Sequence, residues 1–105
     1  MNKKINKILE LYEGKKDVNI NAKIIDISEV REIKDRYDSK KKSAVATVVL
    51  NDGSGECEVG VWNEQINSVK MNDNVLIRNA YCKGSYENRL KLTLGKYGSL
   101  VVVND

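Results

Sequence analysis

The chain has 105 residues, the size of one domain, and its 18 Lys or Arg against 15 Asp or Glu give a net charge of +3. It contains no histidine and two cysteines, which excludes histidine-based catalytic triads, histidine-ligated zinc and four-cysteine metal centres. No apolar run reaches the roughly 18 residues of a membrane span, and none resembles a signal peptide, so we expect a cytoplasmic protein with no membrane partner, no cofactor, and reduced, buried Cys57 and Cys82.

The first fourteen residues predict a short amphipathic helix that packs onto the following domain. Between Asn2 and Tyr12 the apolar residues recur at helical spacing, and Gly14 then ends the pattern. The apolar residues of this helix are Ile5, Ile8, Leu9 and Tyr12.

A long first strand follows, and its pattern changes phase. Apolar residues alternate with polar ones from Val18 to Ile24, after which the apolar positions shift to Ile25 and Ile27. Such a slip indicates a β-bulge that bends one long strand between two sheets. A bent first strand is typical of a small barrel.

The second and third strands form a hairpin in which Trp62 lies on the outer face. Ser43 to Asn51 is β-branched and apolar, and Glu56 to Trp62 returns after a Gly-containing turn. Because Cys57, Val59 and Val61 alternate towards a core, Trp62 shares the opposite face with Gly60. A ring on that face indicates either a flat ligand such as a nucleobase or a lid over one end of a barrel.

The remaining pattern completes a recognisable strand order. Asn63 to Val69 predicts one or two helical turns after an Asn cap, Asn74 to Cys82 a fourth strand, and Arg89 to Leu94 a fifth after the turn Lys83 to Asn88. This order describes an all-β, five-stranded Greek-key OB-fold barrel over residues 18–103, with a short helix between strands 3 and 4. Such barrels bind oligonucleotides on the strand 2–3 face and with loops 1–2 and 4–5.

Positive charge is concentrated in two segments that fall on those loops. Lys34 to Lys42 holds five cations and two carboxylates, and Arg78 to Lys96 holds five cations and one carboxylate, while the rest of the chain is net acidic. Either segment alone is also typical of a solvated loop. With Trp62 between them, they indicate a footprint for nucleic acid.

These residues resemble the single-stranded-DNA-binding OB domains of archaeal replication protein A and the related simple archaeal single-stranded-DNA-binding proteins. The resemblance runs from Val18 to Leu94 and is carried by Val49 to Gly55, Val59 to Trp62, and Val75 to Tyr81. It implies base stacking at Trp62, Tyr81 and Tyr86, of which the two tyrosines stand where relatives often have Trp or Phe. It also implies phosphate contacts from basic residues near Arg31, in the first basic loop and on strand 5.

The full set of expected phosphate-binding residues is Arg31, Lys34, Arg36, Lys40, Lys41, Lys42, Lys83, Arg89 and Lys91. Tyr37, in the first basic loop, is a further stacking candidate, whereas Tyr12 and Tyr97 are assigned to packing. In an unbroken fourth strand Tyr81 would share the inward face of Val75 and Ile77. A binding role for Tyr81 therefore requires a bend or bulge before it.

We therefore expect a non-enzymatic domain that binds single-stranded DNA in replication, repair or recombination, close to the nucleoid. Two alternatives remain open: an OB domain that binds RNA or a tRNA-like target, and one that serves protein assembly. We also expect the chain to be one module of a longer replication protein A polypeptide or complex that contributes further OB domains.

Overall fold

The computed structural model describes residues 5–34, 42–86 and 89–104, with the backbone alone at residues 85 and 86. These residues form seven β-strands and two short 3-10 segments. The strands are β1 (Val18–Ile27), β2 (Arg31–Lys34), β3 (Lys42–Asn51), β4 (Glu56–Trp62), β5 (Asn74–Tyr86), β6 (Arg89–Thr93) and β7 (Ser99–Val102), and the 3-10 segments are Ile8–Glu10 and Asn63–Ser68.

Five strands close into the predicted barrel. The sheet order is β1-β3-β4-β6-β5, and β5 pairs back onto β1 to close the ring. The β4–β6 pair is parallel, while the other pairs are antiparallel. Strand β2 extends β3 outside the ring, and β7 pairs with β5. The all-β, five-stranded OB fold predicted from the sequence is confirmed.

The bulge predicted in the first strand is also present. The first half of β1 pairs with β5, its second half pairs with β3, and the register shifts between Ile24 and Asp26. An extra residue bends a strand and increases its twist. One long strand can therefore belong to both halves of the barrel.

The barrel interior is filled by aliphatic side chains and by both cysteines. Ile20, Ile24, Leu50 and Ile77 are fully buried, as are Cys57 and Cys82, which are free thiols. Burial raises the pKa of Cys57 to about 12. The Cys57 thiol is therefore protonated at neutral pH and packs as a small apolar group.

The predicted N-terminal helix is wrong over the part of it that the structure describes. Only a single 3-10 turn forms, at Ile8–Glu10, and it buries Ile8 together with Leu11, whereas Leu9 and Tyr12 are exposed. An isolated helix of this length is marginal in water. The chain instead satisfies its backbone donors on the barrel: the N–H groups of Ile8 and Leu9 donate to the Asp52 carboxylate and the Ser54 hydroxyl, at 2.9 and 3.1 Å.

Three further segments differ from expectation. Arg31–Lys34 is a strand rather than part of a loop, and β5 continues to Tyr86 rather than ending at Cys82. The helix between β4 and β5 exists as the 3-10 segment Asn63–Ser68, but Asn63 does not cap it. Its side-chain oxygen accepts the N–H of Ala44 on β3, at 2.9 Å.

Across the described ranges, no helix has the length and apolar character needed to cross a membrane.

Candidate nucleic-acid interface

A shallow groove of about 210 Å³ crosses the outer face of the barrel. Strand registers bring its residues together: Arg31 pairs with Val45, Val45 with Trp62, and Glu58 with Lys91. The lining residues are Arg31, Ile33, Val45, Thr47, Glu58, Val59, Gly60, Trp62, Lys83, Lys91, Leu92 and Thr93. We call this surface the central groove.

Trp62 lies in the central groove and 47% of its residue surface is exposed. A Cβ atom on Gly60 would lie 3.5 Å from the Trp62 Nε1 and 3.6 Å from the Val45 Cγ2. Both are ordinary van der Waals distances, so the indole lies against the strand at Gly60. The outward orientation predicted for Trp62 is confirmed, and the ring is not a buried lid.

The central groove continues beyond Trp62 into an uncharged concavity of about 410 Å³. Gly60, Trp62, Leu92 and Thr93 line both spaces, which makes them continuous. The residues that line only this second concavity are Gln65, Leu94, Gly95 and Gly98. A neutral, partly apolar surface beside an exposed indole suits the face of a nucleobase better than a phosphate.

At its other end the central groove meets a charged concavity of about 550 Å³. The two share Arg31, Thr47, Glu58 and Lys91. The charged residues that line only this third concavity are Asp26, Glu29 and Arg89. Charge along the continuous surface therefore changes from mixed at the Arg89 end to none at the Trp62 end.

Two cations at the charged end, Arg89 and Lys91, are paired with carboxylates. Arg89 donates from Nη1 to Glu58 Oε1 at 3.2 Å and from Nη2 to Glu56 Oε1 at 3.1 Å, and Lys91 Nζ lies 4.0 Å from Glu58 Oε2. The hydrogen bond that Arg89 donates to Glu58 is the main reason that the pKa of Arg89 is raised. Because opposite charges neutralise Arg89, its positive field towards solvent is smaller than the sequence suggests.

Tyr81 points outward because β5 contains the bulge that its predicted role requires. Asn79 adopts a left-handed backbone with φ of 57°, and the β1–β5 register gains one residue on β5 between Ile77 and Ala80. The Asn79 N–H donates to the Oδ1 of the buried Asn19 at 3.2 Å. After the bulge Ala80 is buried and Tyr81 is 39% exposed, opposite Thr93.

The structure brings some of the predicted binding residues together and separates others. Arg31, Lys83 and Lys91 line the central groove with Trp62. Lys34 and Lys42 pair with each other across β2 and β3, one residue out of phase with Arg31 and Ile33, and so lie on the opposite face. Arg36, Tyr37, Lys40, Lys41 and the Tyr86 side chain lie outside the described residues.

The assignment of two tyrosines to packing is wrong. Tyr12 is 60% exposed and Tyr97 is 78% exposed. Each lies under a lysine ammonium instead, with Lys15 Nζ 5.5 Å from the Tyr12 ring centre and Lys96 Nζ 5.7 Å from the Tyr97 ring centre. Each ring therefore contacts a cation rather than the core.

Sequence reasoning missed the β-branched residues of the groove. Ile33, Thr47 and Thr93 line it, and each lies on the outer face of its strand. The signal for Thr47 and Thr93 is the same period-2 alternation that located Trp62. Ile33 could not be found in this way, because its strand was assigned to a loop. Within the described ranges no group of acidic or cysteine side chains could hold a metal ion.

A closed barrel of this strand order, with an aromatic ring and cations in a groove on its outer face, belongs to the OB-fold class. The chain belongs to the family described as single-stranded DNA binding protein Ssb-like, OB fold, whose model matches residues 11–102. No curated protein gives a significant match to the chain.

Solved structures of replication protein A domains share the fold. A replication factor A related protein from Methanobacterium thermoautotrophicum superimposes with a TM-score of 0.77 at 21% identity, covering 96% of this chain and 92% of the other. The second OB-fold domain of replication protein A from Methanococcus maripaludis gives 0.74 at 21% identity, covering 97% of each chain. A chain of a replication protein A heterotrimer bound to ssDNA gives 0.74 at 19% identity, with 96% of this chain and 25% of that one covered.

Proposed function

We propose that this domain binds single-stranded DNA with little base preference. The observation that carries the proposal is a half-exposed Trp62 in a groove with Arg31, Lys83 and Lys91. Stacking on an aromatic face contributes about 1–3 kcal/mol per base and tolerates any base, while Lys and Arg follow the backbone. Membership of the single-stranded DNA binding family supports the same ligand.

The charge distribution supports binding of bases and phosphates at different parts of the groove. Bases stack at the neutral end, on Trp62 and beside the backbone of Gly95 and Gly98. Phosphates lie nearer Arg31 and Lys83, because these side chains line the central groove. Tyr81, outward after its bulge, offers a second ring beside Thr93.

The proposed role is non-enzymatic protection and handling of single strands during replication, repair or recombination, inside the cell at the nucleoid. Two of the structural neighbours described above are named as replication protein A, one of them as a heterotrimer bound to ssDNA. We propose that this chain likewise acts in replication, as a module beside further OB domains.

Trp62 is the only tryptophan of the chain, so its fluorescence reports on its own site. Titration with oligo-dT should quench this fluorescence and saturate. With Arg31 and Lys83 engaged, log K should fall with log salt at a slope of about −1.4, from about 0.7 per neutralised phosphate on a single strand. Competition with duplex DNA and with RNA of the same sequence completes the test.

The outcomes separate the candidate functions. Weak competition by duplex and RNA supports the proposal. Stronger binding to RNA than to DNA would favour an RNA-binding OB domain, because the 2′-hydroxyl is the chemical difference. A salt slope near zero, or no response to any nucleic acid, would contradict the proposal and favour a role in protein assembly.

A further inference from the structure

We propose that Glu58 limits how strongly the groove holds DNA, by competing with phosphate for Arg89 and Lys91. This inference rests on the proposed function, since it concerns the same groove. A carboxylate, rather than a cation or a ring, then controls the affinity for DNA and the salt dependence of that affinity. Loss of this carboxylate should strengthen binding, the reverse of what is expected for any other residue that lines the groove.

Glu58 occupies a position that no other carboxylate of the described residues shares. It lines both the central groove and the charged concavity, and its side chain is 18% exposed. Its two oxygens face different cations, with Arg89 Nη1 at 3.2 Å and Lys91 Nζ at 4.0 Å. The parallel β4–β6 register places Glu58 directly beside Lys91.

A phosphate that enters this part of the groove meets two obstacles. Arg89 and Lys91 already interact with a carboxylate, so the phosphate gains only the difference between two anionic partners. The Glu58 charge also repels the phosphate, and partial burial weakens the screening of that repulsion by solvent. In the wild type, less positive charge is therefore available to phosphate than the number of cations in the groove implies.

Glu56 provides a matched comparison. It lies on the same face of β4 and accepts the other guanidinium hydrogen bond of Arg89, at 3.1 Å. Its side chain is 42% exposed, and it is not among the residues that line the three concavities. Glu56→Gln and Glu58→Gln therefore make the same change in net charge and each weaken one contact to Arg89, but only Glu58→Gln removes a charge from the groove.

The experiment measures oligo-dT affinity of the wild type and both variants across a salt series. Glu58→Gln should bind about tenfold more tightly at low salt, as expected when like charges no longer face each other in an interface. Its salt slope should steepen by about 0.7 to 1.4, for one or two released cations. Glu56→Gln should stay within about twofold of the wild type, since exposed charges are largely screened.

The possible results distinguish failure of the inference from failure of the proposed function. If the wild type binds and Glu58→Gln binds no better than Glu56→Gln, net charge alone matters and the inference is overturned while the proposed function stands. If Glu58→Gln binds more weakly, Glu58 holds the cations in a productive position and the inference is likewise overturned. If neither the wild type nor Glu58→Gln binds, the proposed function and the inference fail together.

Lys91→Gln gives a second measurement that leaves Glu58 in place, should Glu58→Gln lower stability. Because the carboxylate neutralises this ammonium, its removal from the wild type should change the salt slope by less than half of the 0.7 expected for a fully engaged cation. A loss of the full 0.7 would show that Lys91 contacts phosphate unopposed, and would overturn the inference.

Discussion

Trp62 combines a large apolar surface with an unusual degree of exposure. It ends β4 on the outer face, against the strand at Gly60, and it lies where the central groove meets the uncharged concavity. A ring in this position contributes little to the core, which is filled by inward residues such as Val59 and Val61. Its main energetic contribution should therefore come from a ligand.

Replacing Trp62 by Ala should weaken binding to oligo-dT by about 1–3 kcal/mol, the value of one stacked base. The free energy of unfolding should change much less than the several kcal/mol of a buried Trp truncation. Anisotropy of a labelled oligonucleotide and denaturant unfolding measure the two quantities. Tyr12→Ala is a matched control, because it removes an exposed ring that lines none of the three concavities. Equal losses in the two variants would contradict a specific role for Trp62.

The β5 bulge is the local feature that turns Tyr81 outward, and it depends on Asn79. Asn79→Val should destabilise the domain by about 1–2 kcal/mol, because a β-branched residue tolerates a left-handed backbone poorly. Asn79→Gly is the matched control, since glycine adopts this conformation readily. Thermal unfolding and oligo-dT affinity should both fall for Asn79→Val, and affinity per folded molecule should be retained in Asn79→Gly. Tolerance of Val would show that the strand can realign without the bulge.

The Asp52 carboxylate, together with the Ser54 hydroxyl, holds the N-terminal segment to the β3–β4 turn. Burial tends to raise the pKa of Asp52, but hydrogen bonds from the Ser54 hydroxyl and from the N–H groups of Ile8, Ser54 and Gly55 outweigh it, and the pKa is lowered. A lowered pKa in the folded state means that this stabilisation is present above the unfolded value of about 3.9 and is lost as pH falls through the folded value.

Asp52→Asn should therefore lower the free energy of unfolding by about 1–3 kcal/mol at pH 7, because charged hydrogen bonds to partly buried N–H groups are lost. The difference from the wild type should shrink as pH falls below about 4. Denaturant unfolding at pH 7 and pH 3 measures it, with Glu64→Gln as a control for the loss of one exposed carboxylate. A difference that is constant with pH would assign the effect to packing rather than to the carboxylate.

Features set by local alternation could be read from the sequence. The period of two located the β1 bulge, the inward set of β4 and the outward Trp62, because one buried face fixes the register of a strand. The four residues of β2 alternate within a charged stretch, Arg31 to Lys34, and become a strand only by pairing with β3. Their pattern alone did not separate them from a loop.

Features set by barrel closure could not be read in this way. The N-terminal helix was wrong because the competing partners of Ile8 and Leu9 lie more than forty residues away in the chain. The pairing of Arg89 with Glu56 and Glu58 depends on the parallel contact of β4 with β6, which exists only in the closed ring. Counting cations along the sequence therefore overstated the free positive charge of the site.

The barrel has one continuous groove, and this limits the affinity that a single copy can reach for single-stranded DNA. One OB fold covers as few as about 4 nucleotides, and part of the positive charge in this groove is already neutralised by Glu58. We therefore predict that the 105-residue chain acts as a module, with modest affinity alone and stronger binding when linked to another OB domain.

A tandem fusion of two copies through a flexible linker tests this prediction. On an oligo-dT long enough for both grooves, the fusion should bind about 10² to 10⁴ times more tightly than the single chain, because the second contact becomes intramolecular. On an oligonucleotide that fills one groove the two proteins should bind alike. A fusion whose second copy carries Trp62→Ala should lose much of the gain, while light scattering excludes self-association of the single chain. Nanomolar binding of the strict monomer to a very short oligonucleotide at physiological salt would show that one barrel suffices, and the reason to expect a module would disappear.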